Sequence, residues 1–424
     1  MSIAIVGMMD ERADGLLLIR EYIANRGLEP VLVDISMGTG ALDSPVAPDV
    51  DNSRLASAGG MDIAAVKAML ATTREKATAT MAAGLGVILS EMHAAGGLQG
   101  VIAVGGMTGT FISLTAMRQL PYGLPKLMIS SAAAMPAYAR KLADFFGLRD
   151  ITVMHSVIDT VGSNAMVRRL LRNGAGAICG MAECLQADST GFDSEIPSIA
   201  LTEFGFCEQG AHHIRARLSP RFETVSFHAN GIGDRAVREL VGQGDFEAFI
   251  DLVPAGYSEY LLGGNRAAGP DRLDAGAKLG KPYILAPGGF DMIGCGPIER
   301  RDSNDPLWES RSLAHRKLAR QDALRVQART NSDEMALIAR HVAERLNRYT
   351  FKQTVKVVIP LRGFSSLSVE NAVLYDPVAD RAFIDTLNEH LDPSIETVHV
   401  DTHINAPQFA DTVADILNRC LQTG

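Results

Sequence analysis

The chain has 424 residues, a formal net charge of −9, 47% hydrophobic and 21% charged residues. That balance excludes wholesale disorder and gives no general pull toward nucleic acid or an anionic membrane, and the length asks for two cores of roughly 200 residues each. No run of about 18 apolar residues escapes a charge or turn former, so a membrane-spanning helix is not expected.

The opening MSIAIVGMMDER has no basic leader and reads as a first strand over 2–9. A helix follows with Leu16, Leu17, Ile19, Ile23 and Ala24 on one face, stopped by Gly27. The second strand is 30–35, closing in Ser36-Met37-Gly38-Thr39-Gly40. One or two helices fill 50–95, and strand 100–104 then runs into Gly105-Gly106-Met107-Thr108-Gly109-Thr110 and a helix to Leu120. Strands 126–131 and 151–156 and a helix over 161–183 complete a strand–helix alternation that implies a doubly wound parallel sheet.

The pattern restarts near 196. SIALTEFGF at 198–206 echoes SIAIVGMM, and the turn His228-Ala-Asn-Gly231-Ile-Gly233 echoes Asp34 through Gly40. YILAPGGFD from Tyr283 parallels KLMISSAAA from Lys126, and strands 355–363 and 396–404 close the second half. The expected fold is therefore α/β, with two Rossmann-like doubly wound parallel-sheet domains from an internal duplication. The boundaries are 1–185 and 196–424, with a linker at 186–195. The basic, polar stretch 299–330 around the only tryptophan, Trp308, interrupts this rhythm and is expected to be a lid, an oligomer contact or a solvated helix.

Open parallel sheets bind ligands outside the carboxyl ends of their strands. In the first half those ends hold Asp10, Asp34, Gly38, Gly40, Gly105, Gly106, Thr108, Gly109, Thr110, Ser130 and Ser131. Glycines there admit a ligand to the backbone, and a helix start favours an anion, although the loop is neither GxGxxG nor a P-loop. Asp34 is placed to touch a ribose hydroxyl or to cap a helix. In the second half Asp291, Arg362 and His403 end three strands and form a candidate acid/base and anion-holding set. No histidine has metal-ligand spacing. The five cysteines (Cys179, Cys184, Cys207, Cys295 and Cys420) include no CxxC pair, which fits free thiols in a reducing, cytoplasmic setting.

The stretches VGMMDERADGLLLIR, GVIAVGGMTGT, MHSVIDTVGSN, GPDRLDAGAKLGKPYILAPGGFDM, VVIPLRGFSSL and VDTHINAPQFAD, in this order, resemble the uncharacterised protein family 0261 over essentially the whole chain. The resemblance implies two Rossmann-like domains, ATP as ligand in at least the family's plant members, and a homodimer or higher homo-oligomer; phosphoryl chemistry on ATP would in turn call for Mg²⁺. The family's first loop reads G-T-x-D-T-K-G. Here Asp10 is kept in Gly7-Met8-Met9-Asp10-Glu11-Arg12-Ala13, and the threonines and lysine are counted as lost. Its phosphate loop reads G-G-S-G-G-T, with Met107-Thr108 here in place of Ser-Gly. Gln321-Asp322-Ala323 stand where the family carries H-N-P. Three functions stay open: an ATP-binding enzyme acting on a small acidic metabolite in an inter-domain cleft, a non-catalytic nucleotide-dependent regulator, and a hydrolase or lyase that works without ATP.

Overall fold

Five short parallel strands organise the first half of the chain: β1 (Ser2–Gly7), β2 (Glu29–Asp34), β3 (Leu98–Gly105), β4 (Lys126–Ser130) and β5 (Thr152–His155). The computed structural model describes residues 2–42, 46–137, 139–187, 196–219, 221–244, 246–277 and 280–422. Contacts divide the chain into two units, Met1–Ser194 and Glu195–Gly424. Of the expected linker, residues 188–195 lie outside the described residues.

The strand order in the first unit is β2-β1-β3-β4-β5. Alternation along β1 sends Ile3 and Ile5 into one apolar cluster and Ala4 and Val6 into another, so both faces are covered. Helices Met9–Asn25 and Ala165–Ala187 pack together over one face, and Arg74–Ala94 and Met107–Met117 over the other. The register lines up Asp34, Gly7 and Val104, then Gly105, Ser130 and His155, along the carboxyl edge. The expected strands are found, with β1 ending at Gly7 where the helix takes over.

The second unit has strands β6 (Ser198–Glu203), β7 (Glu223–His228), β8 (Ala248–Asp251), β9 (Tyr283–Leu285), β10 (Met292–Gly294), β11 (Leu318–Arg320), β12 (Val326–Arg329), β13 (Val355–Pro360) and β14 (Glu396–Val400). Its main sheet runs β14-β13-β9-β8-β6-β7. Counted from β6, this repeats the order of the first unit and adds a sixth strand at the far edge. Val357 and Ile359 of β13 face one cluster and Val358 the other.

The stretch 299–330 is not a solvated helix. Its final part forms β11 and β12, which join β10 in a three-stranded antiparallel sheet. Trp308 is buried and donates its indole N–H to the Cys295 carbonyl at 2.8 Å. The apolar anchors spaced through this polar stretch (Trp308, Leu313, Ala319, Val326 and Ala328) hold it on the core.

Candidate functional site

The order β2-β1-β3 makes the carboxyl ends of β1 and β3 a topological switch point, where neighbouring connections leave to opposite faces and open a crevice. The β3 end carries Gly105 and Gly106, followed by the helix Met107–Met117, whose first turn has no side-chain cap. A Cβ at Gly105 would lie 2.9 Å from the Gly109 Cα, so these two glycines let strand and helix close on each other. Gly106 is different. A Cβ there would stand 3.3 Å from Arg12 Nη2 and 3.9 Å from Ser131 Oγ.

Arg12 is the residue that the sequence reading passed over. Its backbone leaves helical geometry (φ −135°, ψ 22°) inside the helix Met9–Asn25, and the side chain is only 5% exposed. Nε donates to Thr160 Oγ1 at 3.0 Å, Nη2 to Asp159 Oδ1 at 3.1 Å, and Nη1 to Glu11. Counted along G-T-x-D-T-K-G, Arg12 takes the lysine's place, so the positive charge treated as lost is kept. Its two distant partners, Thr160 and Asp159, lie in MHSVIDTVGSN, which begins in β5 and continues into the loop after it.

Asp10 and Asp34 lie beside this point. Asp34 Oδ1 accepts from the Met9 N–H (3.1 Å), the Ser36 N–H (2.9 Å) and the Ser36 hydroxyl (2.5 Å). Asp10 Oδ2 accepts from the Gly40 N–H at 3.0 Å, while Oδ1 is shut from solvent with no partner. The loop through Gly38 and Gly40 clamps Asp10, and a Cβ at Gly40 would lie 2.0 Å from the Asp10 carbonyl oxygen. Gly38 has φ +83° and is exposed. Thr108 and Ser131 are half-buried at the edge. Thr110 and Ser130 are fully buried and bonded to each other at 2.7 Å, which makes them an internal brace between helix and strand.

In the second unit each member of the expected set has surroundings of its own. Arg362 reaches outward into an exposed two-bond pair with Asp401, at 2.7 Å each, which holds the Asp401 carboxyl below its usual range. Asp291 is fully buried, with Oδ2 accepting from Ser365 Oγ at 2.5 Å and Oδ1 unpartnered. His403 is half-buried, its Nδ1 has no partner, and burial lowers its pKa. No hydrogen bond or ion pair among the described residues joins these three side chains, although the Arg362 N–H bonds the Thr402 carbonyl at 3.0 Å. Burial, reinforced by Asp291, pushes the Cys207 thiol far up, so it is no ready nucleophile. Among the described residues no three His, Cys, Asp or Glu side chains are grouped to hold a metal, and no helix is long and apolar enough to cross a membrane.

The uncharacterised protein family UPF0261 matches in both parts, its N-terminal domain over residues 1–187 and its C-terminal domain over 196–421. The chain belongs to this family. A UPF0261 protein of Clostridium tetani is 30% identical over 414 residues, covering 97% of each chain. One from Rhizobium meliloti is 30% identical over 417 residues, covering 96% of each. The ToMV resistance protein Tm-1(GCR237) of Solanum lycopersicum is 29% identical over 350 residues, which are 81% of this chain and 44% of the tomato protein.

Proposed function

We propose that the N-terminal unit binds a nucleotide, ATP with Mg²⁺, at the carboxyl ends of β1 and β3. The observation that carries this reading is the buried Arg12 guanidinium beside Gly106, at the uncapped head of the helix Met107–Met117. Backbone N–H groups at a helix start and a fixed cation together suit a phosphate. Gly106 keeps the approach open, since any side chain would stand between the helix start and the guanidinium. Asp34 is held in place by three bonds to Oδ1, which leaves its other oxygen for a ribose hydroxyl.

Arg12 is one cation among Asp10, Glu11, Asp34 and Asp159, so a triphosphate arriving alone would meet excess negative charge. A magnesium ion binds through one or two carboxylates together with the phosphates. Asp10 fits that task, because its buried Oδ1 lacks a partner. When bound, the ion supplies charge neutralisation to the phosphates; Arg12 and Gly106 position them, and Asp34 orients the sugar.

A second reading, nucleotide binding without turnover, is favoured by the absence, among the described residues, of any hydrogen bond or ion pair joining Asp291, Arg362 and His403 in the other unit. The experiment is thermal unfolding with ATP, ADP, AMP and NAD, each with and without Mg²⁺. A ligand at about 100 times its dissociation constant stabilises by about 2.7 kcal/mol. The expected result is a melting shift with Mg²⁺–ATP that disappears in Gly106→Asp. No shift with any nucleotide overturns the reading.

A further inference from the structure

The second unit contains a polar cluster that neither the fold nor the nucleotide reading uses. Three of its side-chain atoms are shut from solvent without a hydrogen-bond partner: Arg266 Nη1, Asp291 Oδ1 and Arg329 Nε. Their residues are 8%, 0% and 3% exposed. A buried polar group without a partner loses its hydration for no return, so three together call for an explanation.

The antiparallel register places the last of them, Arg329. Met292 pairs with Arg329, Gly294 with Gln327 and Ala319 with Gln327, and directly opposed residues share a face. That face packs on the end of β6: Met292 and Ala319 cluster with Phe206 and Leu374, and half-buried Phe204 lies against them. Arg266 reaches the same place. Its guanidinium lies 4.3 Å from the Phe204 ring centroid, and Nη2 donates to Gln327 Oε1 at 3.4 Å. Asp291 immediately precedes Met292; its carbonyl accepts from Arg329 Nη1 at 3.0 Å, and its carboxylate accepts from Ser365. The Cys207 thiol, at the end of the same β6 connection, feels both Asp291 and Arg266.

Charge and valence then select a ligand. Arg266 is neutralised by Glu259 and Arg329 by Asp380, while Asp291 has only a hydroxyl. The unmet demands are those of two guanidinium nitrogens, Arg266 Nη1 and Arg329 Nε, and one carboxylate oxygen, in a setting with one excess negative charge. A simple carboxylic acid would add to that excess. A zwitterion does not: its carboxylate answers the arginines and its ammonium answers Asp291. The surrounding Phe204, Phe206, Met292 and Leu374 suit an apolar side chain.

We infer that the carboxyl edge of the second sheet holds a binding site for an apolar α-amino acid, with Arg266 and Arg329 receiving its carboxylate, Asp291 its ammonium, and Phe204 at the entrance. This does not depend on nucleotide binding in the first unit.

The test is calorimetric titration of the full chain, without nucleotide, with glycine, L-alanine, L-valine, L-leucine and L-methionine, and with the 2-hydroxy acid counterparts of the alanine, valine and leucine probes. At least one apolar amino acid is expected to bind at least about tenfold tighter than its hydroxy counterpart. Asp291→Asn should abolish that preference, and Phe204→Leu, a milder change at a half-exposed position, should weaken binding with the far-UV spectrum unchanged. Three results would overturn the inference: no heat or melting shift with any amino acid, a preference that survives Asp291→Asn, or crystals grown with the amino acids in which none of them contacts Arg266, Asp291 and Arg329.

Discussion

Arg272 holds Asp251 with both terminal nitrogens, at 2.8 and 2.7 Å, where all of these side-chain atoms are out of reach of water. Nε of the same arginine takes Asp234 at 2.5 Å, and Tyr283 donates its hydroxyl to Asp251 at 2.9 Å. Burial alone would disfavour the Arg272 charge, but Asp251 and Asp234 outweigh it and keep its pKa well above the usual value. The cluster ties the end of β8 to the start of the helix Ile232–Gln243 and to the GPDRLDAGAKLG segment.

Removing the arginine would leave two carboxylates buried without a counter-charge. Arg272→Met is therefore expected to destabilise the second unit by about 3–5 kcal/mol, the range for breaking a buried ion pair from one side. Urea unfolding followed by circular dichroism measures it. Arg362→Met, at the exposed pair with Asp401, should leave the midpoint unchanged, because water solvates both charges there. Equal losses in the two variants would mean that burial does not decide the energetics of these pairs.

The helix-facing and strand-facing patterns made the sheets legible from residues alone. β1, β3 and β4 are buried along their whole length, as central parallel strands must be, and the edge strands β2 and β5 keep a shorter apolar centre. Ala248–Asp251 escaped notice because four residues ending in a buried acid carry too little period to read. The three-stranded sheet escaped for a related reason: β10 and β11 have three residues each, and β10 pairs with the distant β12. At the candidate site the glycines and acids were visible as types. Arg12 was not, because an arginine two residues after an acid reads as an exposed helix charge until the distant Thr160 and Asp159 are seen to hold it. In the other direction, Thr110 and Ser130 look like ligand hydroxyls in a list and prove to satisfy each other.

Gly40 gives a test of how the Asp10 loop is held. A methyl at Gly40 would fall 2.0 Å from the Asp10 carbonyl oxygen, so Gly40→Ala must push the loop away and disturb the N–H that fixes Asp10 Oδ2. The loop is near the surface, so the melting temperature of the free protein should change little. The Mg²⁺ dependence of ATP binding should weaken by about tenfold, given about 1.4 kcal/mol for one displaced charged hydrogen bond. Titration of ATP at fixed Mg²⁺ concentrations would show it, and an unaltered dependence would remove Asp10 from the ion's coordination.

Acid behaviour should expose Asp380. Burial raises its carboxyl to about 6, against the opposing pull of Arg329, which donates to it at 2.6 Å. Unfolded, an aspartate titrates near about 3.9. Because the folded value is the higher one, this group favours folding while protonated. Its contribution is complete below about pH 4 and is lost as pH rises through about 6, an effect on the order of 2–3 kcal/mol. Glu334 has the opposite sign: despite its burial, Arg316 and Arg311 hold its pKa down, so its contribution is lost as pH falls through that depressed value. Urea midpoints measured from pH 4 to 7 should show a decline in the wild type that Asp380→Asn flattens. A variant with the same slope as wild type would assign the decline elsewhere.

Arg12 separates charge from geometry. In Arg12→Lys the cation stays, but one ammonium nitrogen cannot stand at both the Nε and Nη2 positions that bond Thr160 and Asp159 while also meeting a phosphate. In Arg12→Met the charge goes as well, and Asp159, which is largely exposed, turns to water at little cost. If Arg12 contacts phosphate, affinity for Mg²⁺–ATP should fall in the order wild type, Lys, Met. Losing a charge-assisted bond costs about 1.5–3 kcal/mol, which corresponds to a weakening of about 10- to 100-fold for the Met variant. The salt dependence of binding should fall only in the Met variant, because only there is a charge–charge attraction removed. Affinity and salt dependence that are both unchanged in Arg12→Met would reduce Arg12 to a clasp on the loop after β5, and the phosphate would then rest on the helix start alone.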